Sequence, residues 1–290
     1  MWKVWLVNSK NEELDITDLE VFLTNMEGLG VSIENEYLSV NGHSRLIGET
    51  IERQQLSGDL FISLGSFEST RIRNKLIKHL SFSPVSLRFQ NDIGVYSRFV
   101  KLVKLSKNMK DFDLNEWVEQ IEIDFLSPWF NVKKFSETQD KPAVSARGWV
   151  FPFAWPRVFT TRAEDKTNTF NISNDSIYLT TEADRMSPVV VHIRGYCKNP
   201  YWEVFQNSQL VASDGFSMTV TEGYELRVSS LFQDQHALLV SPDGVESSVY
   251  QQQDKTRSNF VHVPSGRSTI VVHCGNADCE VEVYEECDLI

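Results

Sequence analysis

The sequence predicts a mainly β protein of two domains, with a single α-helix in the first and a β-sandwich as the second. Three observations carry this. Apolar and polar residues alternate with period two through most of the first 130 residues, and a helical period interrupts them once, over residues 66–80. From residue 168 onward, short strand-like runs are separated by turn dipeptides at regular spacing, with no helical period. The chain has 290 residues, above the ~250 at which single cores tend to divide.

The elements follow in order. Trp2, Val4 and Leu6 alternate with Lys3, Trp5 and Val7, so the chain opens on a strand, followed by a polar turn over residues 8–13. Residues 16–23 lead to a loop around Gly28-Leu29-Gly30, and residues 31–40 alternate into Asn41-Gly42, a turn dipeptide. Residues 47–56 form a polar, weakly amphipathic strand, and residues 60–64 a short apolar one.

Ile72, Leu76 and Leu80 then fall at i, i+4 and i+8, joined by Ile77. Ser66 or Ser69 can cap this helix, Lys78 and His79 suit the dipole in its last turn, and Pro84 prevents continuation. Its outer face carries Arg71, Arg73, Lys75 and Lys78.

Strands are expected over residues 85–89 and 95–105, and residues 117–125 place Trp117, Glu119, Ile121, Ile123 and Phe125 on one face, as in a half-buried antiparallel strand. Residues 131–147 are polar and read as an exposed excursion. The Pro- and aromatic-rich stretch 149–156 cannot be a central strand, because proline removes ladder donors. The domain boundary is therefore drawn there, giving domains 1–148 and 149–290. In the second, strands are expected over 168–172, 177–181, 188–196, 202–206, 209–213, 216–220, 225–230, 236–240, 259–263, 268–273 and 279–284.

Composition narrows the function. Net charge is −12, and it is uneven: up to Gly148 there are 18 basic against 21 acidic residues, and from Trp149 on 10 against 19. The asymmetry supports two domains and argues against sequence-specific nucleic-acid binding, which needs a basic domain. No apolar run approaches the ~20 residues of a membrane span. The start is too short for a signal peptide, so folding in the cytoplasm of the producing cell is expected. The acidic run from Glu280 to Asp288 reads as a strand with one solvated face.

All four cysteines, Cys197, Cys274, Cys279 and Cys287, lie in the second half. They lack the paired spacing of zinc ribbons, so buried thiols or one cross-hairpin disulfide is expected and no metal. The six histidines are scattered, and no zincin, nucleophile-elbow, P-loop or dinucleotide fingerprint is present. No carboxylate stands in an apolar setting that marks it as a raised-pKa acid. No catalysis and no cofactor are expected.

Two surfaces remain. Trp155, Tyr201 and Trp202 near loops of the second domain could stack on a saccharide, although large aromatics are more often core or interface residues. Lys101, Lys104, Lys107 and Lys110 recur every third residue on a strand, so they alternate faces. Lys101 and Lys104, with Arg71, Arg73, Lys75 and Lys78, are candidate contacts to the acidic edge of a neighbouring copy.

One resemblance runs through the chain. The order Leu56-Ser57-Gly58-Asp59-Leu60-Phe61, helix, Tyr96-Ser97-Arg98-Phe99-Val100-Lys101, Leu105-Ser106-Lys107, Ile121–Phe125 and Ser127-Pro128-Trp129-Phe130 resembles the distal tail protein family of long-tailed bacteriophages with non-contractile tails. Pro188-Val189-Val190-Val191-His192-Ile193-Arg194-Gly195, then Asn199-Pro200, and Asn259-Phe260-Val261-His262-Val263-Pro264-Ser265-Gly266 are similar to motifs of its second half.

The resemblance implies an N-terminal tail-tube-like β-sandwich or barrel with one flanking helix, and a C-terminal galectin-like β-sandwich. It implies a homo-hexameric ring at the virion tail tip, assembled in the host cytoplasm. DNA would pass through its lumen without specific binding. The ring would meet the tail-tube protein on one side and the tail-associated hub protein on the other, and in many relatives the second domain holds receptor-binding proteins. The alternative is a module recognising a cell-wall saccharide, for which a galectin-like fold alone is no argument.

Overall fold

The computed structural model describes every residue except 1, 18–20, 53–54, 63–65, 112–115, 138–166 and 180–184. The chain forms two compact units. The first comprises Met1–Asn131, Ser176–Arg185 and Glu286–Ile290; the second comprises Val132–Asp175 and Met186–Glu285. The division falls at 131/132, ahead of the 148/149 boundary drawn from composition, and the chain later returns twice to the first unit. The reason is local: residues 131–137, read as the start of an exposed excursion, continue a strand that begins at Trp129, and the division lies inside it.

The first unit contains β1 (Lys3–Val7), β2 (Glu13–Asp15), β3 (Val21–Glu27), β4 (Ile33–Val40), β5 (His43–Ile51), β6 (Gln55–Ile62), α1 (Ser66–Leu80), β7 (Val85–Gln90), β8 (Val95–Asp111), β9 (Glu116–Phe125) and the start of β10 (Trp129–Glu137). Seven strands pair antiparallel in the order β2-β1-β7-β8-β9-β6-β3. The 17-residue β8 joins the two halves: Val95 to Val100 pair with β7, and the rest pairs with β9. Ile16 links the ends of the order, donating its N–H to Val4 O at 3.0 Å and accepting from Leu23 N at 2.9 Å, so the sheet bends back on itself.

The core inside this bend holds Val4, Leu6, Leu56, Leu60, Leu87, Ile121, Ile123 and Trp129, covered by Ile72 and Leu76 of α1. Each such side chain contributes roughly 1.5–3 kcal/mol by leaving water. The helix spans the residues the period predicts, but His79 does not serve as a dipole cation. It is buried; its Nε2–H donates to Leu6 O at 2.9 Å, and its Nδ1 accepts from Asn8 Nδ2 at 3.4 Å. Burial lowers its pKa, so it is a neutral bracket between α1 and the β1 end. Gly58 permits β3 to approach β6, since a Cβ there would lie 2.9 Å from Leu23 Cδ1 and 3.0 Å from Thr24 O.

The second unit contains the rest of β10 and β11 (Thr167–Asn174), β12 (Met186–Arg194), β13 (Cys197–Lys198), β14 (Tyr201–Gln206), β15 (Gln209–Gly215), β16 (Thr219–Val220), β17 (Glu225–Ser229), β18 (His236–Val240), β19 (Glu246–Ser248), β20 (His262–Pro264), β21 (Gly266–His273) and β22 (Asp278–Cys287). One sheet runs β19-β18-β17-β12-β22-β10 and the other β11-β21-β14-β15. Between them lies one core, with Val191, Ile193, Val228, Val281 and Val283 from the first sheet and Phe170, Ile172, Trp202, Val204 and Ile270 from the second. This is the β-sandwich the turn spacing predicts.

Details differ from the pattern. The strand expected from 259 begins at His262, because Asn259 and Phe260 take left-handed φ of 61° and 45°. The strand expected at 177–181 yields, among the described residues, an isolated bridge from Ile177 to Cys287. The buried Asp214 carboxylate fixes the turn before β20: it accepts from Gly215 N at 2.7 Å, Phe260 N at 2.9 Å and Gln253 Nε2 at 3.1 Å. Burial raises its pKa, and these donors oppose the shift.

Candidate assembly surfaces

The residues carrying the resemblance in the first unit form a clasp. The Arg98 guanidinium lies 4.0 Å from the Phe125 ring centroid and 5.6 Å from that of Trp129, and it donates to Ser127 O. Ser127 Oγ accepts from Phe99 N at 3.0 Å. The Tyr-Ser-Arg-Phe and Ser-Pro-Trp-Phe segments thus hold β8 against the β9–β10 corner. Burial pushes the Arg98 pKa down to about 10, opposed by Asp288, so the cation persists at neutral pH. These residues build scaffold and expose no reactive group.

The predicted basic residues divide into two kinds. Arg73 Nε donates to Glu119 Oε1 at 2.6 Å, and Glu119 is wholly buried on the core side of β9. This pair seals α1 to the sheet. Lys104 pairs with Glu122 at 2.8 Å, and Lys101 sits opposite Asp124 in the ladder. Arg71, Lys75 and Lys78 are exposed along one stripe of α1, and the Lys75 and Lys78 ammonium groups make no ion pair among the described residues.

A further surface was not singled out from the sequence. β4 and β5 form a ribbon that pairs with no other strand among the described residues, turned at Asn41 (φ 51°) and Gly42 (φ 80°). Tyr37, Leu38, Val40, Leu46 and Ile47 are 41–58% exposed on it. Successive residues of a strand face opposite ways, so Tyr37 and Leu38 show apolar surface on both faces of the ribbon. The available signal was apolar residues at both parities of a short hairpin.

In the second unit, Trp202 is buried and stacks with Phe216 at 6.0 Å, which removes it as an exposed platform for a sugar. Tyr201 stacks on His273 at 4.0 Å with Arg257 4.4 Å from its ring, so this ring is already in use. Gly215 opposite it leaves room, since a Cβ there would lie 2.7 Å from Tyr201 Cβ. Trp155 lies outside the described residues. Tyr201 and Trp202 therefore offer no shared exposed platform. It does show a groove of about 730 Å³ on the outer face of the smaller sheet, lined by Asn171, Ser173, Phe205, Asn207, Arg267 and Thr269 among others.

The acidic strand β22 is not a solvated face. Glu285 pairs with Lys133 at 2.6 Å, Glu280 with Arg194 at 3.1 Å, and Glu282 with Lys134. Lys133 and Lys134 belong to β10, beside β22 in the sheet, so charges distant in sequence meet across the ladder. The four cysteines are buried; Asn168 Nδ2 lies 3.3 Å from Cys274 Sγ and 2.9 Å from Cys279 Sγ. No metal-binding group occurs among the described residues.

At the C-terminal return to the first unit, Arg185 pairs with Asp288 at 2.8 Å and lies 3.9 Å from Glu286. Burial raises the Glu286 pKa from 4.5 to about 7; Arg185 opposes this and Asp288 adds to it. A carboxyl with a raised native pKa stabilises the fold below its unfolded pKa, and that contribution is lost as pH rises through the native value. Glu286 is thus expected to favour the first unit below pH 4.5 and to lose that effect through about pH 7. The change is at most about 3 kcal/mol. Melting temperatures from pH 4.5 to 8 should show a flatter slope for Glu286→Gln than for the wild type, and equal slopes would refute the assignment.

Residues 3–126 match the family model described as the distal tail protein, N-terminal domain. Over these residues the chain is similar to the distal tail protein family. Among solved structures, the fold matches a chain of the phage P2 baseplate in its activated conformation with calcium. There the TM-score is 0.72 and the identity 11%, over 100% of both chains. The strontium form of that baseplate matches with a TM-score of 0.72 and 12% identity. The SPP1 Dit (gp 19.1) protein, described as a paradigm of the hub adsorption apparatus in phages infecting Gram-positive hosts, matches with a TM-score of 0.55 and 8% identity. That match covers 97% of this chain and 98% of the other. At such identities these likenesses establish the fold, and they extend it beyond the family match to both units. No curated protein sequence matches the chain.

Proposed function

We propose that six copies of this protein form a ring at the distal end of a phage tail. The ring joins the tail-tube protein to the tail-associated hub protein, and DNA passes through its lumen. The second unit faces the receptor-binding apparatus. The observation that carries this reading is the combination of a distal tail N-terminal domain with a fold likeness to baseplate chains along the whole length. The clasp and the Arg73–Glu119 seal fit a scaffold, since both bury charge to fix geometry and leave nothing reactive exposed. Saccharide recognition has the polar groove in its favour, but of its candidate aromatics Trp202 belongs to the core.

Negative-stain imaging and light scattering of the full chain, alone and mixed with its tail-tube and hub partners, test the reading. Six-fold rings are expected, together with antibody labelling at the tail tip of intact virions. A monomer under all these conditions and unlabelled tails would overturn it.

A further inference from the structure

We infer that the β4–β5 ribbon of one copy docks on the exposed face of α1 in the next copy, with Glu34 and Glu36 against Lys75 and Lys78. The contact presupposes the ring reading above and specifies the surface that builds the ring.

The ribbon is incomplete as it stands. A lone two-stranded ribbon is marginally stable in water, and this one pairs with no third strand among the described residues. It exposes five large apolar side chains over residues 37–47, Val40 and Ile47 at more than half their surface. A segment apolar on both faces is stabilised when another body covers it.

Charge identifies the occupant. Residues 31–52 carry four glutamates and one arginine, and Glu34 and Glu36 are exposed on β4. The complementary surface lies on this chain itself. The α1 stripe offers Lys75 and Lys78 with no ion pair among the described residues, and Ile77 beside them is 40% exposed. Apolar centre meets apolar ribbon, and ammonium meets carboxylate. The other basic candidates are poorer partners: Arg73 is held by buried Glu119, and Lys104 by Glu122. A ribbon given to one neighbour while the helix receives another is a heterologous contact, the kind that closes rings.

Sedimentation velocity of the full chain, alone and with the hub protein, tests this on wild type, Glu34→Lys/Glu36→Lys, Lys75→Glu/Lys78→Glu and the fourfold combination. Each one-sided reversal should raise the concentration for half-assembly by about tenfold or more, because like charges then face each other. The combination should return to within about threefold of wild type, since the charges are swapped but complementary. The milder Glu34→Gln/Glu36→Gln variant should fall between. All positions are exposed, so unchanged melting temperatures show intact folding. If wild type assembles and the reversals assemble equally well, or if the combination is no better than either reversal, the ribbon contact is wrong while the ring stands. If wild type never self-associates, the ring reading falls and the contact with it.

Discussion

Replacing Arg73 by methionine is expected to destabilise the first unit by about 3 kcal/mol, because it leaves the Glu119 carboxylate buried without its cation. Glu119 has no exposed surface and Arg73 only 28%, so water cannot replace the guanidinium. The second carboxylate oxygen, Oε2, has no partner among the described residues, which leaves Arg73 as the principal compensation. Removing both charges, in Arg73→Met/Glu119→Leu, should recover most of the loss, since desolvation of the pair offsets much of its attraction. Two units need not unfold together. Hydrogen exchange resolved to peptides of α1 and β9 is therefore the suitable readout. A single variant as stable as wild type would show that the pair is not sealed from water.

Trp202→Ala is expected to cost the second unit about 3–5 kcal/mol, the range for emptying an aromatic site in a packed core. Trp202 is 1% exposed and packs among Phe216, Val204 and the facing sheet. Trp202→Phe should cost only about 1 kcal/mol, because most apolar contact is kept and the indole N–H has no acceptor among the described residues. The pair of variants separates two roles. A core residue gives a graded loss of stability measured by urea unfolding of the second unit. A saccharide platform would instead give a loss of glycan binding at unchanged stability, and that result would contradict the burial seen here.

The Trp202 and Arg73 cases show where sequence patterns reach their limit. Period alone places Ile72, Leu76 and Ile121 correctly, because an amphipathic element must turn its apolar side inward whatever it packs against. Period does not separate Trp202 at an exposed edge from Trp202 in a core, since both alternate with Val204. Nor does it reveal that Arg73, in register with a solvated basic stripe, reaches a carboxylate 46 residues away. The acidic run of β22 reads as solvated for the same reason: Lys133 and Lys134 become its neighbours only across a ladder.

The sequence by itself determined helix α1, the β-sandwich of the second unit and, through ordered motifs, the likeness to the distal tail protein family. These rest on local period, turn chemistry and chain order, which need no knowledge of distant partners. Only the tertiary structure decided that the unit boundary lies within β10, that His79 is a neutral bracket, that the charged strands are paired, and that the β4–β5 ribbon exposes apolar side chains on both faces. Each of these depends on which residues meet across long stretches of chain, and neither propensity nor composition encodes that meeting.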